Sequence, residues 1–462
     1  MFANVFLILC AYYFIKPLRE GWLAITDIDR TFGLLLRPLG AGEFHVSKLE
    51  LKAYTSFAQG LLLIPTVMLY ARIADRLDRV RLVAFATLFA MSNLVCFWAL
   101  QPGLLFGNLL GSGVLFYLWV GIFSVFIVAQ FFAFAADLYR GRRGHRLLPF
   151  VALGATAGAW AGSAFARQLV ARELIAPGTL MLIALVPLAA SILLTWLAAR
   201  LGPGGESEPC SGEDEEGQEL PPQGVTPRGA FSIIAASRYL LAAAAVTLLV
   251  NWVNTNGENL LFGVVQKHLE REVAALGLTD PAAVRDYIQR GTTVFYGDFF
   301  SWVNLLALGL QAFVASRLLK YGGFGAILLL LPVVALGSYS AMALVPVLAV
   351  VKGTKILENA TDYSVNNTAR HVLWLPLRAE EKYKAKPTID SLFARLGDGL
   401  AALTVLVGAR VLFMPDEAYF GLNVALVGVW LAVGVFMVRE HRRLLEARAG
   451  EGSGGPGVVH AN

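Results

Sequence analysis

Apolar runs of membrane-spanning length recur along almost the whole chain. Stretches near residues 2–23, 54–73, 82–100, 111–136, 147–169 and 178–199 are followed, after one break, by stretches near 239–265, 295–316, 325–344, 347–368, 389–412 and 419–438. A helix needs about 20 predominantly apolar residues to cross the hydrocarbon core. The runs are continuous rather than alternating, so they read as helices and not as strands of a barrel. The pattern predicts an all-α polytopic membrane protein with twelve transmembrane helices in two six-helix halves, 1–200 and 229–440. The break between Leu201 and Arg228 holds five prolines and seven acidic side chains. That composition cannot bury a core, and it predicts a flexible acidic linker. Residues 441–462 are expected to form a disordered tail.

Composition narrows the class further. Of the 462 residues, 57% are hydrophobic and 15% charged, with mean hydropathy +0.62, against about 25% charged in an ordinary soluble domain. A soluble enzyme is excluded. The net charge of +5 and pI near 9.0 do not point to nucleic acid, because the basic residues are scattered over short loops. Arginine and lysine concentrate in alternate loops, with Arg72, Arg76, Arg79 and Arg81 after the second run and Arg140, Arg142, Arg143 and Arg146 after the fourth. By the positive-inside rule those loops, both termini and the linker are expected in the cytoplasm.

Two loops at corresponding places in the halves look alike. After the second run the chain reads Ala71-Arg72-Ile73-Ala74-Asp75-Arg76-Leu77-Asp78-Arg79, and after the eighth Ser316-Arg317-Leu318-Leu319-Lys320-Tyr321-Gly322. The first resembles the G-x-L-A-D-R-x-G-R loop of the major facilitator superfamily, with Ala71 and Asp78 in place of glycines. Asp75, Arg76 and Arg79 are therefore expected to form a breakable contact that governs gating.

Ionisable residues inside spanning runs cost about 2.5–3.5 kcal/mol on insertion scales and normally face a wet cavity or a partner. Run 1 carries Tyr12, Lys16, Arg19 and Glu20 on one helical face, with Pro17 beside them. Run 7 carries Asn251, Asn254, Thr255 and Glu258. Run 10 carries Lys352, Lys355, Asn359, Asp362, Asn366 and Arg370, three or four residues apart throughout, which predicts a single polar stripe, flanked by Glu358 and Tyr363. Three such stripes predict a solvated central pathway lined by runs 1, 7 and 10. A slight excess of fixed cations suits a phosphate- or carboxylate-bearing cargo. Arg395 and Asp398 lie nearer the cytoplasmic end of run 11 and read as structural. Residues 266–290 read as an amphipathic helix outside the membrane.

Other chemistry finds little in the sequence. The six histidines are scattered singly, without metal-ligand spacing. Cys10, Cys96 and Cys210 suggest no disulfide framework, and no G-x-x-x-x-G-K-[ST] loop occurs. No cofactor or metal is expected, and no enzymatic activity.

Run 10 and its sequel read Asp362-Tyr363-Ser364-Val365-Asn366-Asn367-Thr368-Ala369-Arg370-His371-Val372-Leu373-Trp374-Leu375-Pro376-Leu377, then Lys382-Tyr383-Lys384-Ala385-Lys386-Pro387-Thr388-Ile389-Asp390. This resembles the signature of the ATP/ADP translocases of plastids and obligate intracellular bacteria, K-Y-S-x-F-D-P-T-K-E-M-A-Y-I-P-L followed by K-x-K-G-K-A-A-I-D. Tyr13-Phe14-Ile15-Lys16-Pro17-Leu18-Arg19-Glu20 similarly resembles the family's Y-x-x-L-R-D-x-K-D. The resemblance implies twelve spans, a fold related to the major facilitators, and transport by a divergent bacterial member in the inner membrane. It departs where Asp362 replaces a lysine and where Asn367 and His371 replace acids, while Arg370 keeps a positive charge, so the cargo is left open.

The expectation is therefore a secondary transporter working by alternating access on a nucleotide or other phosphorylated or anionic metabolite. Its partners would be the bilayer and this small cargo, with no nucleic acid, and the chain would act as a monomer. A lipid or drug exporter of major facilitator type is the first alternative, and a non-transporting scaffold or sensor the second.

Overall fold

Apolar runs with few breakers fold as helices wherever lipid or protein, rather than water, surrounds them, because only intrahelical bonds satisfy the backbone there. The computed structural model describes residues 1–26, 46–74, 79–101, 104, 111–138, 142–201, 229–377 and 379–453, and among them no strand occurs. The first six long helices are α1 (Phe2–Ala24), α2 (Lys48–Ala74), α3 (Arg79–Ala99), α4 (Ser112–Leu138), α5 (Arg142–Ala171) and α6 (Leu180–Leu201). The next six are α7 (Arg238–Ala275), α8 (Pro281–Leu310), α9 (Ser316–Leu344), α10 (Leu348–Thr361), α11 (Ala394–Arg410) and α12 (Asp416–Ser453). α10 is prolonged by a π-helical turn, Asp362–Asn366, and a short helix, Asn367–Val372. The 202–228 stretch of the linker lies outside the described residues, as do Asp75 and Arg76, while Arg79 opens α3.

Nine stretches among the described residues are long and apolar enough to cross a membrane, and one of them, Pro281–Leu344, contains both α8 and α9. Outside them are α5, which begins with a basic turn, and α10, which carries Lys352, Lys355 and Glu358. Both are too polar to pass on hydropathy and are held by packing instead. The chain is an all-α polytopic membrane protein.

The pairing of helices repeats with an offset of six. α1 packs on α4, α5 and α6, and α7 packs on α10, α11 and α12; α3 on α6 is matched by α9 on α12, and α2 on α4 by α8 on α10. The two sets interlock in the same way twice, through α5 on α8 and α2 on α11. Such a repeat is the geometry of parallel six-helix units related by an axis along the membrane normal.

Close packing of α1 on α5 depends on small residues. Gly154, Gly158 and Gly162 lie four residues apart on α5 and face Phe2, Phe6 and Cys10 of α1; a Cβ at Gly158 would strike the Phe6 carbonyl oxygen. In lipid, where no hydrophobic force pulls helices together, such backbone approach supplies much of the association. Gly158→Val should therefore lower unfolding stability in detergent by about 1–3 kcal/mol, the usual cost of overpacking. A variant as stable as the native chain would show that α1 and α5 separate freely.

The expected amphipathic helix at 266–290 is not a separate element. α7 continues to Ala275 and α8 starts at Pro281, so the two helices extend together beyond the apolar runs. Nothing in 266–275 breaks a helix, and the chain reverses only where Gly277 adopts φ +66°. Asp280 then caps α8, its Oδ2 accepting from the Ala283 amide at 3.0 Å. The Tyr287 hydroxyl donates to Glu272 at 3.0 Å and ties the arms together. At the other end of the chain α12 stays helical to Ser453, past residue 440, with His441 buried and stacked on Phe324 at 4.0 Å.

Candidate functional site

A cavity of about 260 Å³ lies between the two sets of helices. α1 presents Tyr12, Lys16 and Arg19 to it, and α2 presents Lys52, Ser56 and Gln59. Both trios follow the i, i+4, i+7 spacing that keeps side chains on one helical face. Tyr117 and Ser124 of α4, Asn254, Thr255 and Glu258 of α7, Phe300 of α8 and Tyr363 after α10 continue the wall. Arg395 and Asp398 of α11 close it.

The charges on this wall are unequally compensated. Glu20 is buried, 1% exposed, and holds two cations at once. The Arg19 guanidinium donates to its Oε1 from Nη2 at 2.6 Å and from Nε at 3.1 Å, and Lys52 pairs with its Oε2. The Tyr117 ring faces both cations, 4.2 Å from Arg19 Cζ and 4.5 Å from Lys52 Nζ, and its hydroxyl lies 3.1 Å from Ser56 Oγ. Two cations on one carboxylate leave a positive charge in a place where an unpaired charge is costly.

Lys16 has no carboxylate partner among the described residues. Its ammonium sits 3.9 Å from the centre of the Phe300 ring and 5.0 Å from that of Tyr13, with Tyr12 and Tyr363 each at 5.9 Å. Ring faces stabilise a cation partly and leave its three donors available. Across the cavity, Arg395 pairs with Asp398 at 2.7 Å, and Asp398 accepts from Thr255 at 2.7 Å. Glu258 accepts from Asn359 at 2.6 Å. Lys16, Arg19, Lys52 and Arg395 thus stand against Glu20, Glu258 and Asp398, one cation in excess.

Of the residues singled out from sequence, Lys16, Arg19, Asn254 and Glu258 line the cavity, with Glu20 and Asn359 directly behind it as partners. The rest lie elsewhere. Lys355 is fully buried, paired with Glu358 at 3.0 Å and donating to Asn254 at 3.2 Å. Asn251 bonds to the Thr247 carbonyl at 2.7 Å. Lys352 pairs with Asp298 at 2.5 Å in a different crevice. Asp362 accepts from Asn366 at 2.7 Å, and Arg370, half-exposed, lies 3.5 Å from Asp390. The single stripe expected on run 10 is broken because the π turn at Asp362–Asn366 adds a residue to one turn and resets the helical phase, a departure often found at functional sites.

Lys52 escaped sequence reading because run 2 was taken to begin at residue 54. A signal for the true start was present in Ser47-Lys48-Leu49-Glu50. The Ser47 amide donates to Glu50 Oε2 at 2.9 Å and the Glu50 amide to Ser47 Oγ at 3.3 Å, a reciprocal capping box that starts α2 six residues earlier. Arg395 and Asp398, expected to be structural only, stand on the wall. Nothing in their spacing shows which neighbour they face.

No family model matches the chain. A stretch of 167 residues is 25% identical to ADP,ATP carrier protein 1 of Chlamydia trachomatis serovar D, covering 30% of this chain and 31% of that protein. The chain thus matches about a third of that relative's length. Solved structures are similar over almost the full length. A POT family transporter in complex with 5-aminolevulinic acid gives TM-score 0.61 at 13% identity, covering 96% of each chain. A bacterial homolog of the human lysosomal transporter Spinster, inward-facing and unoccupied, gives 0.55 at 14%, over 96% of this chain and 97% of that one. The nucleoside transporter NupG gives 0.56 at 12%, over 95% and 99%. The fold is that of these membrane transporters.

Proposed function

We propose that this chain is a secondary transporter that moves a small anionic cargo, a nucleotide or another phosphorylated metabolite, by alternating access of the units 1–200 and 229–440. The observation that carries the reading is Lys16, a cavity cation held by aromatic rings and without a carboxylate partner among the described residues, beside an Arg19–Glu20–Lys52 cluster with one positive charge in excess. The aromatic rings around it suit a cargo with a flat or sugar-like body. A cavity of about 260 Å³ is at the small end for ligand sites, which favours a monophosphate over a triphosphate in this conformation.

The state of the bundle supports movement between two conformations. Among the described residues, the ion pairs that join the two sets of helices are Glu50–Arg410 at 2.7 Å, Arg167–Asp298 at 3.0 Å and Glu173–Arg290 at 3.9 Å. All three lie at the end where α2 and α8 begin and α5 and α11 finish. Toward the opposite end, Leu61, Leu62, Ile64, Val67, Met68 and Leu69 of α2 are exposed around the whole helix, as in a bundle splayed on that side. The positive-inside count makes the splayed side cytoplasmic.

Thermal unfolding of the purified protein with nucleotides, sugar phosphates and their unphosphorylated counterparts tests this. A ligand that binds only the folded state adds about 2.7 kcal/mol at a hundredfold excess over its Kd. A rise in unfolding temperature with at least one phosphorylated compound and not with its dephosphorylated form is expected. Stabilisation by apolar amphiphiles alone would favour the exporter reading.

A further inference from the structure

A second crevice, of about 570 Å³, runs between α8 and α10, away from the central cavity. Its two ends differ in chemistry. At one end Asp298 takes Arg167 of α5 at 3.0 Å on Oδ1 and Lys352 of α10 at 2.5 Å on Oδ2. The Arg167 side chain is 49% exposed and that of Lys352 29%, so both cations have donors to spare. From there α8 descends through Trp302, Leu305, Leu306 and Gly309, and α10 through Gly353 and Ile356. Trp302 is 53% exposed. A Cβ placed on Gly309 or Gly353 would meet nothing within 4 Å, so the channel between the helices is open space.

The depth of the charges gives the crevice its meaning. The apolar runs at 147–169, 295–316 and 347–368 put Arg167, Asp298 and Lys352 within five residues of the same membrane boundary. The charged end therefore sits at headgroup level and the apolar channel runs inward among the acyl chains. Two cations on one carboxylate leave one positive charge at the boundary. A phosphodiester would cancel it, whereas a zwitterionic headgroup would bring a further cation alongside.

The geometry points to a binding site for one anionic phospholipid, its phosphate on Arg167 and Lys352 and one acyl chain in the channel between α8 and α10. Such a lipid would brace α5, α8 and α10 at the place where the two sets of helices meet. The site depends on the membrane orientation of these helices and not on what the central cavity carries.

The test uses the full chain purified in detergent and titrated with phosphatidylglycerol or phosphatidylcholine, with retained lipid counted by native mass spectrometry and unfolding temperature followed in parallel. Phosphatidylglycerol should be retained and raise the unfolding temperature more than equimolar phosphatidylcholine. Lys352→Gln, which leaves Asp298 paired with Arg167, should weaken that retention about tenfold or more, the usual loss for a charge-assisted hydrogen bond. Gly353→Leu keeps every charge and places a better helix former into open space, so it should fold normally and lose the lipid because the channel is filled. Equal retention of both lipids, or undiminished phosphatidylglycerol in Gly353→Leu, overturns the proposal. A native mass of two chains that reverts to one in Gly353→Leu would also overturn it, by assigning the crevice to a second copy.

Discussion

Glu20→Gln is expected to be the most destabilising single substitution in the cavity wall, by about 3–5 kcal/mol. Removing one member of a buried ion pair strands the other in a medium that cannot solvate it. Here the loss strands two, because Arg19 and Lys52 share the one carboxylate. Counting stranded charges orders the variants. Arg19→Gln leaves a matched Lys52–Glu20 pair, the Arg19→Gln/Glu20→Gln double variant leaves Lys52 alone, and Glu20→Gln leaves two cations. Unfolding temperature in detergent should fall in that order. A phosphate-bearing ligand should stabilise Glu20→Gln more than the native chain, since it would restore an anion to the cluster. A Glu20→Gln variant as stable as Arg19→Gln would mean that water reaches the cluster and screens it.

Lys16→Gln is expected to behave in the opposite way. The ammonium has ring faces around it and no acid among the described residues, so its removal strands no charge and should leave folded yield close to normal. What it removes is a donor aimed into the cavity. Loss of a charge-assisted hydrogen bond costs about 1.5–3 kcal/mol, which is roughly ten- to more than hundredfold in affinity. Lys16→Arg should retain most of the binding, because charge and ring contacts both survive. Isothermal titration with whichever phosphorylated compound stabilises the native protein measures the effect. Unchanged affinity in Lys16→Gln would remove Lys16 from the cargo site. One turn apart on α1, Lys16 and Glu20 are thus assigned separate tasks, and the two readouts of yield and affinity tell them apart.

The helices were legible in the sequence because apolar length is a one-dimensional signal. The face of α1 was legible too, since Tyr12, Lys16 and Arg19 follow an undisturbed helical period. Run 10 misled for a physical reason. Its residues keep a three-to-four spacing from Lys352 to Arg370, but the π turn at Asp362–Asn366 changes the phase, and the expected stripe splits into the Lys352–Asp298, Lys355–Glu358 and Arg370–Asp390 pairs. Lys52 was recoverable from the Ser47–Glu50 capping box. Tyr117, Arg395 and Asp398 were not, because their part in the wall depends on how α4 and α11 are set against α1 and α2, which local periodicity does not encode.

The most direct measurement of the central claim is uptake of labelled phosphorylated compounds into liposomes that contain the purified protein and are preloaded with the same compound. An alternating-access carrier with Lys16 in its cargo site should exchange at least one of them saturably. Unlabelled compound should compete, its dephosphorylated form should not, and Lys16→Gln should raise the half-saturating concentration at least tenfold. Uptake that is absent for every phosphorylated compound, or equally strong for the dephosphorylated form and in Lys16→Gln, would contradict the account.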